Sequence, residues 1–284
     1  MRTLGLAGAA LCLGLLAACQ APAVRNYHST AERLGFAELL VAGDGFVHRA
    51  YLNRAALAGD IRRLHVYIDG DGTAWRGPGR PALDPTGRDP LVLRLMAQDP
   101  AAALYLGRPC YLGVDEPDSC QPWYWTHGRY SRAVVGSMTA ALSSLLQHHP
   151  AGELTLIGYS GGGTLAMLMA ARLTDVSEVV TLAANLDVQA WTDEHGYSPL
   201  IGSLNPATQA PLPARIRQWH WVGKDDAQVP PRVVEQGLLT QTAPHFEVLP
   251  DMDHGCCWER EWPRLLNKAV NDSQGHPTLG RGGL

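Results

Sequence analysis

Leu154-Thr-Leu-Ile-Gly-Tyr-Ser-Gly-Gly-Gly-Thr164 is an apolar run that stops at a glycine and restarts with a different pattern. Leu154, Leu156 and Ile157 suit a buried strand. Thr164 to Arg172 carries the small and straight-chain residues that favour helix. Between them lies Gly158-Tyr159-Ser160-Gly161-Gly162. A strand, a sharp glycine turn and a helix in succession would lift the Ser160 hydroxyl above a sheet edge, because glycine accepts backbone conformations closed to other residues. The competing reading is a glycine-rich turn whose serine only N-caps the helix. Three glycines in a row after the serine are an odd choice for capping alone.

The surrounding chain can support such a sheet. It has 284 residues, 46% of them hydrophobic, enough for one sizeable core in one or two domains. The net charge of -4 gives no basic footprint for nucleic acid, and no internal repeat is present. At the N-terminus, Met1-Arg2 precedes an apolar stretch from Leu4 to Leu16, which ends in Leu16-Ala17-Ala18-Cys19. This is the form of a signal peptide over residues 1–18, too short for a membrane span. Its last four residues resemble a bacterial lipobox. That resemblance implies cleavage before Cys19, lipid attachment to its sulfur and membrane anchoring by several acyl chains without a crossing helix. Gln20 is not the aspartate that marks inner-membrane retention in enteric-type bacteria. The expected location is therefore the cell envelope, at the periplasmic face of the outer membrane.

Export changes the reading of the cysteines. Cys12 leaves with the signal and Cys19 is the lipid site. In an oxidising compartment Cys110 and Cys120 read as a loop-closing disulfide. Cys256 and Cys257 are neighbours, open to a vicinal disulfide or to two small buried thiols. A zinc site is the weaker alternative, since no C-x2-C or C-x2-H spacing accompanies them.

Taken in order, residues 19–34 read as a lipidated tether and 35–271 as the folded domain. Phe36 to Val41 and Phe46 to Leu52 read as a hairpin at an antiparallel edge. Strands are expected over Leu64 to Ile68, Ala102 to Leu106, the run into Ser160, Glu178 to Ala183, Arg217 to Val222 and His245 to Leu249. Helices are expected from Leu91 to Ala97, Tyr130 to His148, Pro231 to Gln241 and Trp258 to Asn271. Residues 185–213 carry no strong period and are long for a plain connection, so a lid or binding loop is expected there. The tail, 272–284, should be mobile. Strands alternating with helices after an antiparallel start predict an α/β, doubly wound, mostly parallel sheet of about eight strands.

A serine hydroxyl is a weak nucleophile at neutral pH and needs a base, which in turn needs an orienting group. Asp226, in Gly223-Lys-Asp-Asp226-Ala-Gln-Val-Pro230, follows one expected strand; His254, in Asp251-Met-Asp-His254-Gly255, follows the last. Ser160, Asp226, His254 is a chain order that builds the serine–histidine–aspartate geometry. With these residues the chain resembles the α/β-hydrolase superfamily over roughly residues 36–271. The resemblance implies that Ser160 is the nucleophile, His254 the general acid and base, and Asp226 the group orienting it. Asp225 is the alternative acid, and Asp251 and Asp253 are read as solvated or turn-forming.

The same resemblance implies an oxyanion site built from the Gly161 N–H and a donor in Asp69-Gly70-Asp71-Gly72-Thr73. Gly72 or Thr73 is the expected donor. Asp-x-Asp-Gly is also similar to a calcium loop, but it lacks the later ligands and terminal glutamate, so neither metal nor organic cofactor is expected. Tyr159, Trp75, Trp191 and Asp187 are candidate pocket residues, with packing in the lid as the competing role of the aromatics. The implied activity is hydrolysis of a carboxylic ester or related acyl bond in a small or lipid-like substrate. Peptidase or amidase chemistry, and a non-catalytic envelope binding protein, are the alternatives.

Overall fold

The computed structural model describes residues 21–59, 61–114 and 118–272. The expected signal segment, Cys19 and the tail from 273 lie outside the described residues. In chain order the elements are α1 (Pro22–Arg33), β1 (Ala37–Ala42), β2 (Val47–Leu52), β3 (Ile61–Ile68), the short hairpin β4 (Trp75–Gly77) and β5 (Arg80–Pro81), α2 (Leu91–Met96) and β6 (Ala102–Leu106). There follow α3 (Arg132–His148), β7 (Ala151–Tyr159), α4 (Gly161–Ala170), β8 (Val176–Leu182), α5 (Val188–His195), β9 (Arg217–Gly223), α6 (Pro231–Leu238), β10 (His245–Leu249) and α7 (Trp258–Asp272).

Eight strands form one sheet in the order β1-β2-β6-β3-β7-β8-β9-β10. β1 and β2 are antiparallel, as expected of the opening hairpin, and the other six run parallel. Every parallel strand therefore delivers its C-terminal end to the same edge. Alternation along the strands splits the core between two faces. Leu64, Val66, Leu104 and Leu156 pack with α3, α4 and α6, while Tyr67, Tyr105, Ile157 and Trp221 pack with α2 and α7. Helices on both faces explain why β7 reads as a continuous apolar run rather than an alternating one.

Two stretches depart from expectation. Residues 22–33 are a docked helix, not a tether. Val24, Tyr27 and Ala31 recur at helical spacing and are buried, and the Tyr27 hydroxyl donates to Asp69 Oδ2 (2.6 Å) and to the Asp89 carbonyl (3.1 Å). Residues 185–213 contain α5 and a single 3-10 turn, Pro206–Thr208. Ser203 Oγ donates to the His127 carbonyl (2.8 Å) and the Leu204 N–H to the Tyr130 carbonyl (3.0 Å), stitching this segment to the loop after β6. Cys110 and Cys120 in that loop are bonded, S–S 2.09 Å, as expected, and Cys256 and Cys257 are joined to each other.

The fold buries His48 completely. Its Nδ1 donates to the Gly107 carbonyl (2.9 Å), so its Nε2 accepts from Ser137 Oγ (2.8 Å). Burial outweighs the Gly107 bond and lowers its pKa from 6.5 to about 4. The folded chain thus holds His48 neutral where the unfolded chain would protonate it. This contribution is full above pH 6.5 and lost as pH falls toward 4, at most about 3 kcal/mol. Urea midpoints between pH 7 and pH 4 should fall more steeply for the wild type than for His48→Gln, which should start lower at pH 7 and be flatter.

Candidate active site

β7 ends at Tyr159 and α4 begins at Gly161, so Ser160 alone makes the turn. Its φ of 52° and ψ of -125° lie outside the usual regions for a residue with a Cβ. The glycines permit that turn by close approach. A Cβ on Gly162 would strike the carbonyls of Ile68 and Asp69 at the end of β3, and one on Gly163 would strike the Ala184 Cβ. Ser160 occupies the N-cap position of α4, yet its side chain makes no capping hydrogen bond. The hydroxyl instead lies 3.1 Å from His254 Nε2. The capping reading is thereby displaced.

His254 Nδ1 is 2.8 Å from Asp226 Oδ2. A carboxylate only accepts, so Nδ1 carries the proton and Nε2 is left to accept from Ser160. Asp226 is 3% exposed, and its Oδ1 accepts from the N–H groups of Gln228 (2.9 Å) and Val229 (2.7 Å). These bonds fix the carboxylate at the turn between β9 and α6. Asp225 is exposed, and of the two acids it is Asp226 that bonds His254. The His254 carbonyl accepts from Tyr159 Oη (2.8 Å) and Trp258 Nε1 (2.9 Å). Asp253 Oδ1 accepts from the N–H groups of Gly255 (2.8 Å) and Cys256 (2.7 Å), a turn-forming role as expected.

The loop after β3 corrects one expectation. The Thr73 N–H donates to the Pro85 carbonyl (2.8 Å) and so is occupied, and Gly72, at φ 60°, abuts Pro85 and Gly87 rather than Ser160. The backbone that reaches the serine is one step earlier. A Cβ on Gly70 would sit 3.2 Å from the Ser160 Cβ, and the Asp71 side chain lies against Gly161. The N–H of Asp71 makes no hydrogen bond among the described residues, and the N–H of Gly161 stands at the open first position of α4. These two amides stand beside Ser160 without a protein acceptor among the described residues. The neighbouring strand-end geometry, invisible in the sequence, is what occupies the Thr73 amide and leaves that of Asp71 nearer the serine.

Asp71 is held from several sides. Arg108 Nη1 pairs with its Oδ1 (2.5 Å), and Arg129 Nη1 (2.9 Å) and Tyr130 Oη (2.6 Å) donate to its Oδ2. Arg108 also donates to the Gly70 carbonyl (3.1 Å), and Tyr111 Oη to the Asp71 carbonyl (3.0 Å). Burial alone would push the Asp71 carboxyl up, but the two guanidinium groups and the Tyr130 hydroxyl hold it well below the usual carboxylate range. Asp69 accepts from Tyr27 and Tyr105 (3.3 Å) and from the Gly70 N–H (2.7 Å). Both acids of the Asp-Gly-Asp-Gly stretch are thus committed to protein partners. Sequence reasoning missed Arg108, Arg129, Tyr130 and Tyr27 because they come from three distant segments.

The expected pocket residues separate into two groups. Trp75 is half-exposed, in the hairpin that follows β3, with its ring 5.7 Å from that of His127. Trp191 is buried with its Nε1 donating to the Gln228 carbonyl (2.8 Å), which makes it a strut under the acid loop. Asp187 caps α5, accepting from the N–H groups of Gln189 and Ala190 (both 3.1 Å) and from Asn205 Nδ2 (2.9 Å). Tyr159 supports His254 from below, with ring centroids 5.3 Å apart.

Removing Arg108 breaks a buried ion pair at its more deeply buried member. Arg108→Met should lower the unfolding free energy by about 3–5 kcal/mol, whereas Tyr111→Phe, which loses one neutral hydrogen bond, should cost about 1 kcal/mol. Denaturant titrations that rank the two equally would contradict the clamp.

The alpha/beta hydrolase fold family matches residues 113–253, which hold Ser160 and Asp226 and stop one residue short of His254. No curated protein sequence matches the chain. Among solved structures, it is similar to a bacterial membrane phospholipase A described as a virulence factor (15% identity, 88% of this chain and 93% of that one, TM-score 0.55). It is also similar to an esterase from Pyrococcus furiosus (11%, 84% and 93%, TM-score 0.55) and to a lidless serine hydrolase from Xanthomonas campestris (15%, 86% and 97%, TM-score 0.53). Sheet order, elbow and structural neighbours agree: the chain has the α/β-hydrolase fold.

Proposed function

We propose that this chain is a lipid-anchored serine hydrolase that transfers an acyl group from an ester to water through an acyl-serine intermediate. The observation that carries the reading is the continuous hydrogen-bond path from Asp226 through His254 to Ser160. In the first step Ser160 Oγ attacks the carbonyl carbon while its proton passes to His254 Nε2. Asp226 stabilises the resulting imidazolium without itself taking the proton. The carbonyl oxygen becomes an oxyanion facing the N–H groups of Gly161 and Asp71, donors already in place before charge develops. Collapse expels the alcohol, which takes the proton from His254. Water then attacks the acyl-serine with His254 again as base, and release of the acid restores the hydroxyl.

Several observations support an ester. Trp75 and the exposed Trp123, whose rings flank His127 in loops that follow strands ending at the catalytic edge, suit an apolar acyl group. Two of the similar structures are named as an esterase and a phospholipase. A puromycin hydrolase is also similar, at 14% identity over 40% of its own length, so aminoacyl amides form the second class to be tried. Lipid attachment at Cys19 rests on the lipobox-like Leu16-Ala17-Ala18-Cys19. It predicts incorporation of labelled palmitate that Cys19→Ala abolishes.

The test is hydrolysis of p-nitrophenyl acyl esters beside aminoacyl p-nitroanilides. Ester turnover should exceed anilide turnover, and Ser160→Ala should lower kcat at least about a thousandfold. Asp226→Asn should lower it by about 10⁴ while Asp225→Asn leaves it nearly unchanged. Wild-type turnover in Ser160→Ala would sink the proposal, and a faster anilide would replace esterase by amidase.

A further inference from the structure

The direction of α1 determines which side of the molecule an N-terminal lipid would hold to the membrane. α1 begins at Pro22, where Val24 lies against Gly113 in the loop after β6, and Asn26 Nδ2 donates to the Arg88 carbonyl (2.9 Å). Tyr27 reaches Asp69 at the C-terminal end of β3. The helix then descends to Ala31, whose carbonyl accepts from the Phe36 N–H (3.0 Å) just before β1. β1 starts opposite Leu52, which pairs with Leu104 inside β6, so α1 runs away from the catalytic edge. Its first turn is therefore at the same edge as Ser160. Three chain steps lead from Cys19 to Pro22, a reach of at most about 11 Å, little more than a headgroup layer.

That same edge carries exposed apolar side chains. Leu83 is 88% exposed and Ile201 80%, with Trp123 at 41%. They belong to one connected rim. Ala82, next to Leu83, accepts from Trp125 Nε1 (3.1 Å); the Trp123 and Trp75 rings flank His127; and Gly202, next to Ile201, lies against the Trp123 ring. The hairpin between β3 and Leu83 adds exposed Arg76 and Arg80, and Arg88 follows. The carboxylate of Asp84 among them accepts from the Thr86 N–H (2.8 Å). Apolar tips ringed by arginine suit an anionic lipid surface, with aliphatic side chains entering the acyl boundary and guanidinium groups at the phosphates.

We infer that the catalytic edge lies against the bilayer, with Leu83, Trp123 and Ile201 inserted and Arg76, Arg80 and Arg88 on anionic headgroups. Ser160 then opens toward lipid rather than toward bulk solvent, and its acyl substrate is one that resides in or partitions into that leaflet. The inference rests on the lipid-anchored reading above and deepens it. It makes the surface itself a second membrane contact beside the N-terminal lipid.

The test uses the unlipidated chain beginning at Gln20, which retains every element described. It is floated with vesicles of phosphatidylethanolamine and phosphatidylglycerol at low and high salt. The wild type should float, less so at high salt, and Leu83→Asp/Ile201→Asp should lower the bound fraction at least tenfold. Arg76→Gln/Arg80→Gln should reduce both binding and its salt dependence. Leu239→Asp is the control, since Leu239 is 78% exposed but follows α6 at the opposite edge; it should float as the wild type does. Hydrolysis of a water-soluble ester by Leu83→Asp/Ile201→Asp at the wild-type rate will show that its fold is intact. A wild type that stays with the soluble fraction, a double variant that floats equally, or a Leu239→Asp variant that loses as much would each overturn the orientation. Flotation does not depend on Ser160, so Ser160→Ala separates this failure from failure of the hydrolase reading. Palmitate labelling at Cys19 separates it from failure of the anchor.

Discussion

Ser160 is forced into its place by the backbone on either side of it. β7 runs through the middle of the sheet, buried on both faces, and α4 returns immediately against β7 and β8. One residue must reverse the chain between them. With φ at 52° that residue projects its side chain off the sheet edge, and Gly162 and Gly163 give α4 the close approach to β3 and β8 that the reversal requires. The strain of such a turn is of order 1–3 kcal/mol and persists only where surrounding packing over-determines it. The core supplies that packing. It is the reason a hydroxyl with no capping bond stands free to meet His254.

Around this elbow the site is assembled from loops whose positions are set by buried polar groups rather than by apolar packing. Asp226 is locked by two amides, the His254 carbonyl by a tyrosine and a tryptophan, the Gly70–Asp71 backbone by Arg108 and Tyr111, and the Asp71 carboxylate by Arg108, Arg129 and Tyr130. Each of these bonds forms where water is largely excluded, so each is costly to leave unmade. Their common effect is to hold amide donors and imidazole nitrogens in fixed positions before any substrate arrives. Preorganisation of this kind is what lowers a barrier for developing charge. α1 joins the same network through Tyr27 and Asp69, which links the N-terminal end of the chain to the loop that faces the serine.

How much of this could be read in the sequence depends on how local its cause is. Strand and helix periods are local, and the bounds expected for residues 102–106 and 245–249 coincide with β6 and β10. The positions of Ser160, Asp226 and His254 were legible because each follows a strand at a glycine- or proline-marked turn. Whether Asp225 or Asp226 faced the histidine was not legible, since only the turn into α6 decides it. That the Thr73 amide is occupied was not legible either, because the Pro85 carbonyl that takes it lies far along the chain. Trp191 and Asp187 carried the residue types of a pocket but serve as a strut and a cap. α1 was missed for a different reason: its stripe of Val24, Tyr27 and Ala31 is short, and it follows a signal-like segment that draws the reading toward a tether.

The central claim is that Ser160 is an activated nucleophile through His254. A fluorophosphonate reacts covalently only with a serine whose proton has somewhere to go, so labelling followed by peptide mass mapping tests the claim at the atom concerned. The account predicts one adduct per chain on the peptide containing Ser160, lost in Ser160→Ala and suppressed in a folded His254→Ala. A folded wild-type chain left unlabelled, or labelled as readily without His254, would contradict it.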